Sequence, residues 1–139
     1  MTTINAGTLI LAKTAGINAI AGNVTIGNAS GGVDTLQLAG SDQIANSAVL
    51  TFNGTGTSAG RFRLAGNNDT IGGITSTGDA GIVENGVSGS STLTVDTTAA
   101  RDFSGILQNG AAGTLALTKD GASSQTLSGT VVSRTPTRE

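Results

Sequence analysis

Short apolar stretches recur along the chain, each closed by glycine, asparagine or serine. The stretch GTLALTKDGASSQTLSG, Gly113 to Gly129, shows the unit most clearly. Leu115 and Leu117 fall on one face of a strand and Thr114, Ala116 and Thr118 on the other, because strand side chains alternate with period two. Strands are expected at 2–5, 8–12, 24–26, 35–38, 49–52, 61–64, 70–74, 81–84, 92–95, 102–107, 114–118 and 125–128. Residues 44–48 lead into the strand at 49–52, residues 18–20 read as a short strand or a bend, and Val131-Val132 is a last β-prone pair. A helix over 13–21 is weakened by Gly16 and Gly22. Asn53-Gly54, Asn85-Gly86 and Asn109-Gly110 are turn pairs suited to positive φ. Asn5, Asn23, Asn28, Asn67, Asn85 and Asn109 are expected at corners, in left-handed backbone or as side-chain caps.

Strands starting about every 10 to 14 residues, with turns between them, indicate a sandwich, a barrel or a solenoid. Three features favour an all-β, parallel β-solenoid in a single domain. The pattern T-L-x-[LV] recurs at 8–11, 35–38, 92–95 and 114–117, as expected of residues stacked between coils. Aromatic residues are nearly missing, whereas a sandwich core usually holds several. Glycine, asparagine and serine occupy every turn, as a coil with several corners requires. Three strands per coil would give roughly four or five coils. The expected interior is Leu9, Leu11, Val24, Ile26, Leu36, Leu38, Phe62, Leu64, Ile71, Leu93, Val95, Leu107, Leu115, Leu117 and Leu127.

Composition sharpens this picture and removes most chemistry. The 139 residues include 22 glycines, one proline, three phenylalanines, and no cysteine, histidine, tryptophan or tyrosine. The core must therefore be thin and aliphatic. With a formal net charge of −2 and no basic patch, nucleic acid is not an expected partner. No apolar run approaches the roughly 20 residues that span a bilayer, and the start, MTTINAGTLILAK, is unlike a secretory signal. Histidine- and thiol-dependent catalysis and metal ligation are excluded. Paired carboxylates could serve glycoside chemistry, with Asp96 and Asp102, or Asp69 and Asp79, as candidates. Without aromatic sugar platforms, solvated turn carboxylates are the better reading, and no enzyme activity or cofactor is expected. Asp34 and Asp69 sit in GGVDTLQLAG and GNNDTIGG, which look like fragments of the calcium-binding nonapeptide of β-rolls. They are 35 residues apart and lack the tandem repeat, so turn formation is preferred. Arg61 and Arg63 share the outer face of one strand and are expected to be solvated, with an acidic partner as the alternative. Lys13 and Lys119 follow T-L-x-L stretches at similar offsets, as if at equivalent corners.

The order of these stretches resembles the autotransporter-associated β-strand repeats of large bacterial surface proteins. The resemblance is carried by TTINAGTLIL, LQLAGSDQIANSAVLTFNGT, RFRLAGNNDTIGGI, ENGVSGSSTLTVD, FSGILQNGAAGTLALTKDG and QTLSGT. It implies a right-handed parallel β-solenoid, a location outside the bacterial cell or on its surface, and a stalk or adhesive role without catalysis. Residues 1–130 then form one repeat unit. The tail, 131–139, departs from the family pattern and is expected to depend on an end-to-end contact for its order. The first and last coils of a solenoid expose backbone edges and apolar side chains unless capped. Thr2, Thr3, Ile4, Leu9 and Leu11 at one end, and Leu127, Val131 and Val132 at the other, are the expected assembly residues. Arg134, Pro136, Arg138 and Glu139 would act as gatekeepers. The expected partner is another copy or an adjoining repeat; the alternative is a host or matrix ligand held on the lateral face.

Overall fold

A computed structural model describes residues 1–55, 58–79 and 81–132. It is all-β. The first coil holds β1 (Thr2–Ile4) and β2 (Thr8–Leu11), and the second β3 (Val24–Ile26) and β4 (Asp34–Leu38). The third holds β5 (Val49–Phe52), β6 (Gly60–Arg63) and β7 (Asp69–Ile71), and the fourth β8 (Gly73–Ser76), β9 (Ile82–Glu84) and β10 (Ser90–Asp96). The fifth holds β11 (Arg101–Phe103), β12 (Ile106–Gln108) and β13 (Thr114–Asp120), and β14 (Gln125–Leu127) and β15 (Thr130–Val132) begin a sixth.

All pairings are parallel between successive coils, which makes the molecule a β-solenoid with three faces. The first face runs β1-β3-β5-β8 and continues as β11-β14. The second runs unbroken as β2-β4-β6-β9-β12-β15, and the third is β7-β10-β13. The advance per coil varies early, from 27 residues between Thr8 and Thr35 to 21 between Arg61 and Ile82. It then settles at 24, as from Ile82 to Ile106 and on to Thr130.

Parallel register turns alternating residues into columns along the rod. On the second face Leu9, Leu36, Phe62, Val83, Leu107 and Val131 follow one another inside the coils. The four middle members are buried; Leu9 is 37% and Val131 60% exposed. Ile4, Ile26 and Phe52 form a matching column on the first face. All three phenylalanines are buried. Phe52 and Phe103 meet edge to face, ring centroids 5.2 Å apart, a favoured aromatic geometry. They leave no room at Gly81: at φ +112 a Cβ there would lie 2.7 Å from Phe103 and 2.8 Å from Phe52.

Several expectations change. The stretches 70–74 and 102–107 are each two strands on adjacent faces, bent at Gly72 and at Ser104-Gly105. A Cβ at Gly72 would sit 2.6 Å from the Ser47 carbonyl oxygen, so the corner is as tight as glycine permits. Residues 13–21 form turns and bends, with Gly16 at φ +82, and no helix. Residues 44–48 lead into β5 as expected, with Ile44 in an isolated bridge to Ile20. The T-L-x-[LV] motifs do stack as 8–11 on 35–38. The other two lie on the third face and are offset by two residues, Leu93 pairing with Leu117 rather than Leu115. Lys13 and Lys119 are consequently not equivalent: Lys13 follows β2, whereas Lys119 lies within β13 opposite Val95.

Of the expected interior, Leu9 is exposed at the first coil and Leu115, Leu117 and Leu127 are half-buried at the last. The others are buried. Five of the six asparagines expected at corners act as caps, Asn5 offering only its carbonyl to Asn28: Asn23 accepts from the Val49 N–H and Asn109 from Leu115, while Asn67 donates to the Leu64 and Ala65 carbonyls. None takes positive φ; besides glycine, only Ala29, Asp42 and Ala65 do so among the described residues. An amide that bridges two segments is held by its side-chain bonds, and the adjacent Gly54, Gly86 or Gly110 takes the left-handed turn.

Candidate functional site

Three places concentrate whatever chemistry this aliphatic rod has: its two ends, one cluster on the lateral face, and one buried corner. Thr2, Thr3, Ile4, Leu9 and Leu11 all lie on β1 and β2, the outermost strands of their sheets at one end. Leu127 lies on β14, and Val131 and Val132 on β15, outermost at the other. Ile4 and Leu11 are nonetheless buried, because the coil is narrow enough for their side chains to pack against those of neighbouring faces.

The far end is more open. Leu107, Leu115, Leu117, Leu127, Val131 and Val132 line an apolar cavity of about 160 Å³ there, with Gln108 and Asn109 at its rim. Leu115 and Leu117 belong to this end as much as Leu127 does, because β13 has no pairing partner on its outer side among the described residues. The interior column Ile71, Val95 ends at that strand in Lys119. Its ammonium turns back to donate to the Asp120 and Gly121 carbonyls. An inward-facing charge on an edge strand opposes further pairing there. The proposed gatekeepers Arg134, Pro136, Arg138 and Glu139, and the tail from 133 onward, lie outside the described residues.

On the outside of the second face, one column runs Ile10, Gln37, Arg63, Glu84, Gln108, Val132. Glu84 points outward yet is only 3% exposed. Arg63 lies across it, donating from Nε at 3.0 Å and Nη2 at 2.8 Å to Oε1, and Gln108 donates to Oε2 at 2.7 Å. Arg61 Nε stands 3.4 Å from the same Oε1 without hydrogen-bond alignment. The expectation of two solvated arginines is thus corrected: both guanidiniums fold onto a carboxylate one coil away. A cleft of about 330 Å³ opens beside them, edged by the stacked turns at Gly86 and Gly110. Glu84 and Gln108 were not singled out from sequence, although GIVENG and GILQNG, 24 residues apart, place one directly on the other.

The buried corner belongs to Asp69. The second coil has no strand on the third face, so the N–H groups of Gln43 and Ile44 lack a backbone acceptor, and Asp69 Oδ2 accepts both, at 3.0 and 3.3 Å. Gln43 is itself fully buried, accepting from the Lys13 N–H and donating to the Ser41 carbonyl. Burial pushes the Asp69 carboxyl up to about 6, against the downward pull of the Gln43, Ile44 and Thr70 N–H groups and with a small upward push from Asp42. Asp69 Oδ1 and Asp34 Oδ2 are buried without hydrogen bonds.

The calcium and carboxylate-pair candidates do not come together. Asp34 is on the second face and Asp69 on the third, and no group of three or more carboxylates able to hold a metal occurs among the described residues. Asp96 and Asp102 lie on different faces, with Asp102 accepting a hydrogen bond from Ser128. Asp79 is exposed in the turn after β8, whereas Asp69 is buried at the start of β7. No family model, no curated protein and no solved structure matches the chain.

Proposed function

We propose that this chain is a non-catalytic structural module that continues a β-solenoid rod through its ends. The observation that carries the proposal is the Leu9-to-Val131 column: its members are covered wherever a coil lies on both sides and exposed only at the two terminal strands. Stacking β1 on β14 and β2 on β15 of a second copy would set Ile4 over Leu127 and Leu9 over Val131. Both contacts keep apolar side chains inside and give the unpaired edges of the first and second faces parallel partners. The third face takes no part. It ends at Lys119, and the first coil offers only the Ile20 bridge there. A heterologous contact of this kind propagates, so the product is a filament, or a longer rod where the stacked unit is an adjoining repeat. The resemblance to autotransporter-associated repeats agrees with such a stalk role outside the bacterial cell.

Electron microscopy and light scattering of the purified chain test this reading. Concentration-dependent rods are expected, with Val131→Lys and Leu9→Lys each leaving monomers that retain β-rich circular dichroism. A monodisperse monomer at high concentration, or rods that persist in both variants, would rule it out.

A further inference from the structure

The cleft beside Arg61 and Arg63 is a built feature of the lateral face, and of its lining only Val132 also belongs to the terminal strand β15. We propose that it is a binding site for a carboxylate, presented by a small organic acid or by an acidic polysaccharide.

The charge count comes first. Two guanidiniums face one carboxylate, which leaves one positive charge uncompensated among Arg61, Arg63 and Glu84. Both oxygens of Glu84 are already occupied, by Arg63 and by Gln108. Glu84 therefore anchors the cluster rather than neutralising it. Arg61 makes no hydrogen bond to any described residue, and its buried Nε lacks an acceptor. A guanidinium holds several donors in one plane and matches a carboxylate with two parallel bonds.

Shape supplies the second argument. The cleft, about 330 Å³, is lined chiefly by Arg61, Arg63, Glu84, Gln108, Gly110 and Ala111, a volume at the small end of ligand clefts. It exists because glycine stands at its back. A Cβ at Gly86 would lie 2.6 Å from Arg63 Nε, and one at Gly110 would lie 2.6 Å from the Gly86 Cα. The lining has no aromatic ring on which a neutral sugar could stack. One net positive charge in the cluster, a guanidinium paired with Glu84 but without a hydrogen bond among the described residues, and a polar wall select a monoanion with a planar acceptor pair.

The test is a titration of the isotope-labelled full chain, followed through the backbone amides of Gly86, Gly110 and Ala111. The probes are sodium acetate, sodium glucuronate, an oligouronate and glucose. Saturable shifts with acetate and glucuronate are expected, with Kd on the order of 1 mM, and none with glucose. Arg61→Gln should weaken binding at least about tenfold, as should Ala111→Glu, which sets a competing carboxylate at the rim without touching the interior. Lys119→Gln, a distant loss of one charge, should leave it unchanged. If the oligouronate binds more tightly per carboxylate than glucuronate, the source is a polymer; equal binding identifies a small acid. Absent shifts, equal shifts with glucose, or shifts that survive Arg61→Gln in a folded variant would overturn the proposal.

Discussion

Asp69 shows how one side chain substitutes for a missing strand. Its oxygen receives two N–H groups that no carbonyl reaches, and burial raises its pKa to about 6. An aspartate whose folded pKa lies above its unfolded value weakens the fold where it is ionised. Its contribution therefore falls as pH rises through the window from about 4 to about 6 and slightly beyond. Denaturant unfolding should show stability dropping by about 1 kcal/mol between about pH 5 and about pH 7 from this group alone. Asp69→Asn, which keeps an acceptor for Gln43 and Ile44, should flatten that slope; an unchanged slope would contradict the assignment. Glu84 carries the opposite lesson. It is covered by the two arginines that it holds, so Glu84→Ala leaves two guanidiniums face to face. A loss of about 2 kcal/mol is expected, below the usual figure for a broken buried pair because both arginine side chains stay partly exposed. A double-mutant cycle with Arg63→Ala should recover part of it. Arg63 was legible as an outward residue from alternation alone. Its partner was not, since Glu84 lies 21 residues away and only the register brings the two together.

At the level of strands, the weak point of the ladder is the step from β8 to β11. These two strands are neighbours on the first face but are not paired in register. The amide of Gln125 enters the gap, accepting from the Ile74 N–H at 3.0 Å and donating to the Ile74 carbonyl at 2.9 Å. A side chain two coils away thus stands in for a strand partner. Gln125→Ala would leave both Ile74 groups without these bonds, and equilibrium unfolding should register a loss of about 1–3 kcal/mol. Phe103 packs at the inner side of the same step against Phe52, and Phe103→Ala should cost about 3–5 kcal/mol. A smaller effect would mean that the surrounding coil collapses into the space. The sequence marked most strands correctly because alternation is local. It merged 70–74 and 102–107 because a corner that moves the chain to the next face does not interrupt a run of β-prone residues.

Across the whole molecule, contacts run between neighbouring coils, so stability is close to one-dimensional. The third and fourth coils have neighbours on both sides, and their column members Phe62 and Val83 are fully buried. Amide hydrogen exchange should be slowest for β5, β6, β8 and β9 and fastest for β1, β2 and β15. Uniform protection along the rod in dilute solution would be inconsistent with open ends. If copies stack as proposed, raising the concentration should slow exchange selectively in β1, β2, β14 and β15. The sequence by itself determined that the chain is all-β, that its core is aliphatic and that it stacks in coils. The recurring T-L-x-[LV] stretches, glycine in the turns and only three phenylalanines favour stacked coils over a sandwich or a barrel. Only the tertiary structure decided the length of each coil, which strand lies on which face, and the residues each column brings together. Those depend on where each corner bends. The interior column advances by 27, 26, 21 and then 24 residues per coil, odd as well as even, so alternation cannot be carried across a corner, and the bends are set by close approaches such as those at Gly72 and Gly81, which no local pattern records.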